Sequence, residues 1–517
     1  MSQQIGVVAA GHEETARAAE MILRAGGNAF DAAVAAHFAA CVAEPVLASL
    51  GGGGFLMAHT EDGTRTLYDF FPQTPKQQRP EQDLDFYPIS ANFGSVSQEF
   101  HIGLGAAACP GTVKGLFAAH RDLCTLPMAR LVEPAVDLAH RGVVMNAFQA
   151  YIFDIVKVIY ESGEETRKSY QSPSGDGCLI REGENHRQEA LADCLDALGR
   201  EGEALFYSGE IARSIDGLCR EGGHLTLADL EGYRVIRRKP LTLNYRDASL
   251  LMNPPPSSGG MLVAFALKLL AEHRLGECRF GDVEHLHLLV NILATACEAR
   301  IDAHLDENHQ DPAGRMLDPD FIALYRDRIK GRVKCSRGTT HISVMDRRGN
   351  VASLTTSNGE GCGSMIPGTG VMLNNMLGEA DINPHGFHRW QTDQRMTSMM
   401  NPSIVILPDH REIALGSGGS NRIRTAILQV LVNLIDFKMN LAQAVSGPRV
   451  HFEDGHLSIE AGFPAGAVER LTEHYSDYKL WSERNLFFGG AHSVAADSSG
   501  FSGCGDPRRG GVSIVVS

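Results

Sequence analysis

A predicted β-hairpin that begins at residue 339 constrains the fold of this chain more than any other segment. Residues 339–345 and 351–357 are rich in strand-forming residue types and flank a turn at 346–350 (DRRGN). The stretch before the hairpin is basic and loop-like, with six lysines and arginines between residues 326 and 337, and we interpret it as a solvated linker. The character of the sequence therefore changes abruptly after Gly338.

The register of this hairpin follows from the position of its turn. If the turn is symmetric about Arg348, Thr339 faces Ser357 across the two strands. Thr355 then lies on the same face of the sheet, as a diagonal neighbour of Thr339. Three hydroxyl groups are therefore predicted to cluster at the start of the first strand.

Such a cluster is compatible with two readings. The first is a threonine-rich strand whose hydroxyls are solvated. The second is nucleophilic catalysis, in which Thr339 uses its own α-amino group as the base after the preceding peptide bond is cut. That amine has an unperturbed pKa near 8, so a useful fraction is neutral at cellular pH. Gly338 adds backbone freedom at the bond that would be cut.

Length, composition and charge argue against several classes of protein. A chain of 517 residues is long enough for two or three domains, and its 43% hydrophobic content is that of a globular protein. A formal charge of −15 argues against nucleic acid or an anionic membrane as a partner. The N-terminus lacks a cationic signal region, and the longest apolar segment, 32–43, is shorter than a membrane span. Eleven scattered cysteines suggest reduced thiols and a cytoplasmic protein.

Sequence motifs of several other enzyme classes are absent. The sequence contains neither G-x-S-x-G nor a phosphate loop with its lysine. The pairs His285–His287 and His385–His388 lack the context of a metal motif, so no metal and no cofactor is expected.

The order of the predicted elements indicates the fold class. Helical patterns dominate the first part of the chain, including Glu13–Arg24 and a mostly apolar helix capped by Asp31, whereas strand patterns dominate after residue 338. Residues 71–103 are predicted to be a long polar loop. Helices followed by strands in one chain favour an α+β protein of stacked layers.

Together, the motifs along the chain resemble the gamma-glutamyltransferases, or gamma-glutamyl transpeptidases, of the N-terminal-nucleophile hydrolase superfamily. The resemblance rests on the order and spacing of residues 26–34 (GGNAFDAAV), 50–55 (LGGGGF), 110–112 (PGT), 254–260 (PPPSSGG), 339–344 (TTHISV), 373–375 (LNN), 416–423 (GSGGSNRI) and 506–508 (DPR).

The resemblance implies a four-layer αββα sandwich made as one precursor that cuts itself between Gly338 and Thr339. The products would be a large subunit, residues 1–338, and a small subunit, residues 339–517, which form one fold and stay associated. A dimer of these heterodimers is a further expectation of the family pattern.

The resemblance also assigns catalytic roles. Thr339 matches the nucleophile, and Thr355 and Ser357 match the hydroxyl residues that support it. Gly419 and Ser420 fall where two backbone N–H groups form the oxyanion hole, with Ser420 in place of a glycine. Unpaired N–H groups near a helix N-terminus suit developing negative charge.

On the substrate side, Ser398 matches a residue that holds the glutamyl α-carboxylate. Glu379 stands where the family has an aspartate for the α-amino group. Either Asn358 or Gly359 falls at the position of an asparagine that contacts both substrate and nucleophile.

The sequence departs from the pattern at the substrate-binding end. Phe71 stands where the family has an arginine that clamps the α-carboxylate, and Met376 and Met399 replace polar residues. A phenylalanine cannot reproduce bidentate recognition of a carboxylate. Arg79 is one arginine that could reach the site instead.

The resulting hypothesis is an enzyme that transfers an acyl group from an amide through an ester on Thr339, to water or to an amine. The donor would be a gamma-glutamyl compound such as glutathione, or another amide of the glutaryl type. The alternatives are an uncleaved, non-enzymatic scaffold and, from the glycine strings alone, a nucleotide-binding α/β enzyme.

Overall fold

Two antiparallel β-sheets form the centre of the computed structural model, which describes residues 4–92, 97–302, 312–325, 339–383, 385–453 and 455–517. Its strands are β1 Gly6–Ala10, β2 Gly53–His59, β3 Arg65–Phe70, β4 Tyr87–Asn92, β5 Ser97–Ile102, β6 Val143–Val144, β7 Asn185–His186, β8 Ile236–Arg238, β9 Leu241–Tyr245, β10 Ala248–Met252, β11 Thr340–Asp346, β12 Val351–Ser357, β13 Met365–Ile366, β14 Val371–Met372, β15 Ser403–Ile406, β16 Glu412–Gly418, β17 Val450–Glu453, β18 His456–Ile459, β19 Tyr478–Leu480, β20 Gly490–Asp497, β21 Gly500–Cys504 and β22 Val512–Val516.

Helices lie between many of these strands along the chain. They are α1 Glu13–Arg24, α2 Ala29–Ala43, α3 Thr112–Leu123, α4 Met128–Arg141, α5 Ala147–Ser162, α6 Glu164–Ser169, α7 Glu189–Glu201, α8 Ala204–Tyr207, α9 Glu210–Cys219, α10 Leu227–Gly232, α11 Gly259–Leu270, α12 Val283–Asp302, α13 Pro312–Met316, α14 Pro319–Tyr325, α15 Arg422–Ile435, α16 Leu441–Ser446 and α17 Ala465–Thr472. Among the described residues, every helix is too short or too polar to cross a membrane.

The larger sheet has seven strands in the order β22-β1-β11-β12-β2-β3-β8, and the second has six in the order β21-β20-β16-β15-β10-β9. Strands β11 and β12 therefore lie in the middle of the larger sheet, between two strands from the N-terminal part of the chain. Thr339 directly precedes β11, whose first two residues are Thr340 and His341. The fold thus places the start of β11 among elements from both parts of the chain.

Alternate residues of the seven-stranded sheet enter two different cores. Val8 and Val344 pack in a core that includes residues of α1, α2, α4 and α7. Val7 and Met345 point the other way, into a core with residues of the six-stranded sheet and of α11, α12 and α15. This alternation is what the two-residue period of a strand requires when both faces are covered.

The expectation of a fold that combines helices with β-sheets is confirmed, but two local predictions are wrong. Asp31 is the third residue of α2 rather than its cap. Asn28 is the cap, its side chain accepting from the N–H of Asp31 while Asp31 accepts from the N–H of Asn28. The predicted loop 71–103 contains the β4–β5 hairpin.

Candidate active site

A pocket of about 400 Å³ opens at the start of β11. Its lining combines hydroxyl, carboxylate and apolar side chains. The lining residues are Phe71, Thr339, Ser357, Gly359, Met376, Glu379, Asp381, Ile382, Ser398, Met399, Met400, Ser420 and Ile423. Nine of these residues were named from the sequence: Phe71, Thr339, Ser357, Gly359, Met376, Glu379, Ser398, Met399 and Ser420.

The predicted register of the hairpin is confirmed. Thr340 pairs with Thr356 and His341 with Thr355, so the same register places Thr339 opposite Ser357. Thr339 is only 3% exposed, and the hydroxyl of Ser357 accepts a hydrogen bond of 2.9 Å from the N–H of Gly359. Gly338 lies outside the described residues.

Thr355 lies behind the pocket wall rather than in it. Its hydroxyl is 2.7 Å from Nδ1 of His341, and Nε2 of the same ring is 2.9 Å from the hydroxyl of Ser343. Burial, and then the neighbouring His492, lower the pKa of His341 well below its usual value, so the ring is neutral. His341 was not predicted from the sequence, although it lies two residues after Thr339 and so shares its face of the strand.

Thr340 points to the opposite face, towards the helices. Its hydroxyl donates to Oε2 of Glu44 at 2.8 Å, and the hydroxyl of Thr15 donates to Oε1 at the same distance. Burial raises the pKa of Glu44, while these two hydrogen bonds and Arg509 oppose the rise. This buried carboxyl ties the first residue of β11 to the end of α2.

Arg509 contacts the nucleophile candidate itself. Its Nη1 donates to the main-chain carbonyl oxygen of Thr339 at 3.2 Å, and the arginine is 3% exposed. Burial, then the nearby Arg422, lower the pKa of Arg509 to about 10, so the group stays cationic at neutral pH. Its Nε and Nη2 have no hydrogen-bond partner among the described residues.

The turn that carries Arg509 is held by buried ion pairs. Asp506 contacts Arg449 at 2.7 Å and Arg508 at 3.2 Å. Burial opposes ionisation of Asp506, but the two arginines prevail and lower its pKa. Arg508 also pairs with Glu460 at 2.5 Å.

The glycine turn after β16 has the backbone form expected of an oxyanion hole. Gly419 has a φ of +120° and Ser420 a φ of +47°, and α15 begins two residues later. Among the described residues, neither N–H group donates to another protein atom. Ser420 lines the pocket, whereas Gly419 does not. A non-glycine residue with positive φ is uncommon, and such strain clusters at functional sites.

Ser398 is fixed by backbone contacts around it. Its hydroxyl accepts from the N–H of Met400 at 3.1 Å, and its carbonyl accepts from the hydroxyl of Ser257 at 2.8 Å and the N–H of Ser258 at 2.9 Å. The segment 254–260 (PPPSSGG) thus supports the pocket wall at Ser398.

Of the two residues predicted at the family's asparagine position, Gly359 lines the pocket and Asn358 does not. Asn358 is buried without lining the pocket, and its Oδ1 has no partner among the described residues. Gly359 lines the pocket instead, with a φ of +63°. A Cβ at Gly359 would lie 2.0 Å from Oδ1 of Asn375 and 3.1 Å from Oε1 of Glu379. This close approach explains a glycine there.

Phe71 is a rigid apolar wall. Its ring stacks on Phe55 with 5.4 Å between centroids and is 1% exposed. Its carbonyl accepts from the hydroxyl of Tyr233 at 2.8 Å and from Arg395. Arg79 does not replace the arginine clamp. Its Nη1 donates to the carbonyl of Arg220, and the residue does not line the pocket.

Four lining residues, Asp381, Ile382, Met400 and Ile423, were not predicted from the sequence. No local pattern distinguishes them from other residues, because the tertiary fold brings them to the cavity. Within the described parts of the chain, no three His, Cys, Asp or Glu side chains are grouped as metal ligands would be.

This chain is similar to known enzymes along nearly its whole length. The family model for gamma-glutamyltranspeptidase matches residues 15–516. The acylase ACY 1 proenzyme of Pseudomonas sp. (strain SE83) is 30% identical, covering 99% of this chain and 94% of that protein. The glutathione hydrolase proenzyme of Bacillus subtilis (strain 168) is 29% identical, covering 99% and 91%.

A solved structure has the same fold. The cephalosporin acylase from Bacillus halodurans superimposes with a TM-score of 0.85 at 23% identity, covering 99% of this chain and 96% of that one. Because the family model spans nearly the whole sequence, this chain is an enzyme of the gamma-glutamyltranspeptidase family.

Proposed function

We propose that the chain cuts itself between Gly338 and Thr339 and then hydrolyses or transfers an acyl group from an amide through an ester on Thr339. The observation that carries this proposal is the position of Thr339, which lines the pocket at the start of a central strand beside Ser357 and Ser420. Both relatives described above are named proenzymes, which supports self-cleavage.

Self-cleavage uses the hydroxyl that later serves in catalysis. The Oγ1 of Thr339 attacks the carbonyl carbon of Gly338, the C–N bond breaks, and the nitrogen takes a proton to become a free α-amino group. Water then hydrolyses the resulting ester. The products are a carboxylate on Gly338 and a new N-terminus at Thr339.

Turnover repeats this chemistry on a bound amide. The free α-amino group of Thr339 accepts the hydroxyl proton as Oγ1 attacks the amide carbonyl, and it returns a proton to the leaving amine. The N–H groups of Gly419 and Ser420 stabilise the oxyanion, Ser357 and Thr355 support the nucleophile, and water or an amine takes the acyl group. Arg509 is a positioning residue in this scheme, since it holds the Thr339 carbonyl.

The two fragments, 1–338 and 339–517, stay associated in this proposal. Strands β11 and β12 belong to the small fragment, yet they pair with β1 and β2 of the large one. Separating the fragments would break the middle of a sheet. We also propose that the layers follow the order helix–sheet–sheet–helix, the αββα sandwich of the family, with a dimer of heterodimers as the assembly.

The first candidate donor is a gamma-glutamyl amide such as glutathione, as the name of the Bacillus subtilis relative suggests. The second is an amide with a different acyl group, which the ACY 1 acylase relative and the apolar Phe71 both favour. Glu379, Ser398 and Gly359 would contact the donor, since all three line the pocket. The cytoplasmic location expected from the sequence stays a prediction.

Mass spectrometry of the reacting enzyme tests this proposal. During turnover of an acyl anilide, the 339–517 fragment should gain the mass of the acyl group and lose it again after hydroxylamine treatment. Thr339→Ser should retain part of the labelling, because serine supplies the same hydroxyl, whereas Thr339→Ala should be neither cut nor labelled. Labelling of the Thr339→Ala chain would contradict the proposal.

A further inference from the structure

The first turn of α15 carries positive charge where a helix favours negative charge. Arg422 is the first residue of this helix, and the turn contains no acidic residue. The N-terminus of a helix is itself the positive end of the helix dipole, so a cation there is unfavourable for stability. Arg422 is only 1% exposed, and little water is therefore available to screen its charge.

The guanidinium of Arg422 lacks the partner that a neighbouring arginine has. Its Nε and Nη1 atoms have no hydrogen-bond partner, and it forms no ion pair with a carboxylate of the described residues. Its central carbon lies 5.0 Å from the centre of the Phe487 ring. Arg424, two residues further along α15, pairs with Glu453 at 3.1 Å. Charged side chains are rarely buried unpaired, and such exceptions are expected at functional sites.

A second buried guanidinium lies against the backbone that leads into α15. Nη2 of Arg509 is 3.2 Å from the position that a Cβ would take at Gly419, and Nη1 is 3.0 Å from the same position at Gly418. Burial lowers the pKa of Arg509 to about 10, and repulsion by Arg422 is the next cause in size. The two cations are therefore close enough to interact through the protein.

Acidic residues offset part of this positive charge. Glu360, Asp506 and Glu44 oppose the repulsion, but each has a smaller effect on Arg509 than Arg422 has. Asp506 is also shared between two other arginines. Burial raises the pKa of Glu44, which reduces the negative charge that it contributes.

The pocket lies on the other side of this turn. Ser420 and Ile423 line it, whereas Arg422 between them does not. The N–H of Arg422 donates to the carbonyl of Gly419 at 2.9 Å. Because the N–H and C=O of a trans peptide point in opposite directions, the N–H of Ser420 points away from α15. A negative charge held by that N–H group has the helix end and the guanidinium of Arg422 behind it.

We infer that Arg422, together with Arg509, supplies positive charge behind the oxyanion hole and stabilises the anionic intermediates of self-cleavage and turnover. When Oγ1 of Thr339 adds to a carbonyl carbon, an electron pair of the C=O bond moves to the oxygen. Collapse of this oxyanion expels the amine, and the nitrogen takes a proton. Charges buried in a low-dielectric interior act on such an oxyanion over longer distances than they would in water.

Arg422 is a positioning residue in this scheme, because it acts through the Gly419–Ser420 turn and lies outside the pocket lining. The inference rests on the proposed ester mechanism at Thr339 and adds a source of transition-state stabilisation. It also explains why a charge that is unfavourable for stability stands at the start of α15.

The rate of self-cleavage tests this role without any external donor. Wild type and Arg422→Met are made by cell-free translation with a pulse of label, and cleavage is followed on a denaturing gel. We expect Arg422→Met to be cut more slowly by about 10-fold or more. The kcat of the cut enzyme on an acyl anilide should fall by a similar factor, with little change in KM.

The melting temperature separates this role from a purely structural one. Arg422→Met removes a buried charge that has no carboxylate partner, so the melting temperature should stay the same or rise while kcat falls. Arg422→Lys keeps the charge and should keep both rates within about 3-fold of wild type. Arg200→Met, at an exposed helical arginine, is the matched control and should leave both rates unchanged.

Wild-type rates in Arg422→Met would overturn the inference. Equal losses in Arg422→Lys and Arg422→Met would also overturn it, because shape rather than charge would then matter. If Arg422→Met does not fold, Arg422→Gln is compared with Arg422→Lys, and equal rates for these two variants overturn it. Failure of the proposed function is distinct, since wild type then remains uncut or a chain with Thr339→Ala is still cut.

Discussion

The carbonyl oxygen of Thr339 accepts a hydrogen bond of 3.2 Å from Nη1 of Arg509, a guanidinium buried in the interior. The two residues come from different parts of the chain, Thr339 directly preceding β11 and Arg509 preceding β22. This contact holds Thr339, the proposed nucleophile, by its backbone at the wall of the pocket. It also brings a positive charge close to the proposed cleavage site.

Removing the guanidinium should therefore impair both maturation and turnover. We expect Arg509→Met to lower kcat by about 10- to 100-fold, because a hydrogen bond to a charged donor contributes about 1.5–3 kcal/mol. KM should change much less, and Arg509→Lys should restore part of kcat. Arg200→Gln, a substitution of an exposed helical arginine, is the control. Equal kinetics for Arg509→Met and wild type would refute the positioning role.

The hydroxyls of Ser357 and Thr355 are predicted to support Thr339 in different ways, because only Ser357 lines the pocket. Ser357 lines the pocket, so Ser357→Ala should lower kcat more than it alters KM. Thr355→Val leaves Nδ1 of His341 without its partner, which should destabilise the fold by about 1–3 kcal/mol and slow self-cleavage. Unchanged turnover and processing in both variants would mean that these hydroxyls are only part of a threonine-rich strand.

Gly418 is packed directly against Thr339, the proposed nucleophile. A Cβ there would lie 2.1 Å from the carbonyl oxygen of Thr339, and a backbone atom cannot move aside cheaply. We expect Gly418→Ala to abolish self-cleavage, as seen on a denaturing gel. Gly217→Ala is the control, because nothing lies within 4 Å of its Cβ position in α9. The control should be cut normally and be more stable by about 0.5–1 kcal/mol.

Acid should destabilise the protein through its buried histidines. Burial lowers the pKa of His37, His186 and His492 to about 4, whereas an unfolded imidazole titrates near 6.5. Between these values the unfolded state binds more protons, so stability is present above pH 6.5 and is lost as the pH falls towards 4. Each group contributes about 1.4 kcal/mol per pH unit in this window.

The melting temperature, measured from pH 7.5 to 4.5, checks this dependence. Glu44 acts in the opposite direction, since its raised pKa favours the folded state at low pH. The three histidines together have the larger effect on stability. His492→Asn should give a shallower decline than wild type. A melting temperature that stays constant from pH 7 to pH 5 would contradict the assignment of neutral buried imidazoles.

The hairpin and its register were predictable because they depend on local rules. The turn at 346–350 and the two-residue period of a strand determine that Thr339 faces Ser357. The resemblance to the gamma-glutamyltransferases implied that Phe71, Glu379 and Ser398, which are far apart in sequence, belong to one site, and all three line the pocket. The α1 helix has the predicted bounds, since its amphipathic pattern ends at a glycine pair.

Other features depend on tertiary contacts that no local pattern encodes. Asp381 and Ile423 reach the pocket only through the packing of separate elements, and Arg509 is one of two adjacent arginines with different partners. Asn28 and Asp31 are both good capping residues, and the reciprocal bonds in the structure decide between them. The β4–β5 hairpin escaped prediction because Pro88 and polar residues weaken its strand signal.

The N-terminal sequence of the small fragment tests the central claim most directly. Purified protein should run on a denaturing gel as two bands, residues 1–338 and residues 339–517, that elute together under native conditions. Edman degradation of the smaller band, 179 residues long, should begin Thr-Thr-His. Thr339→Ala should give one full-length band. A fragment that starts at Thr340, or a single full-length band with wild-type activity, would contradict Thr339 as the nucleophile.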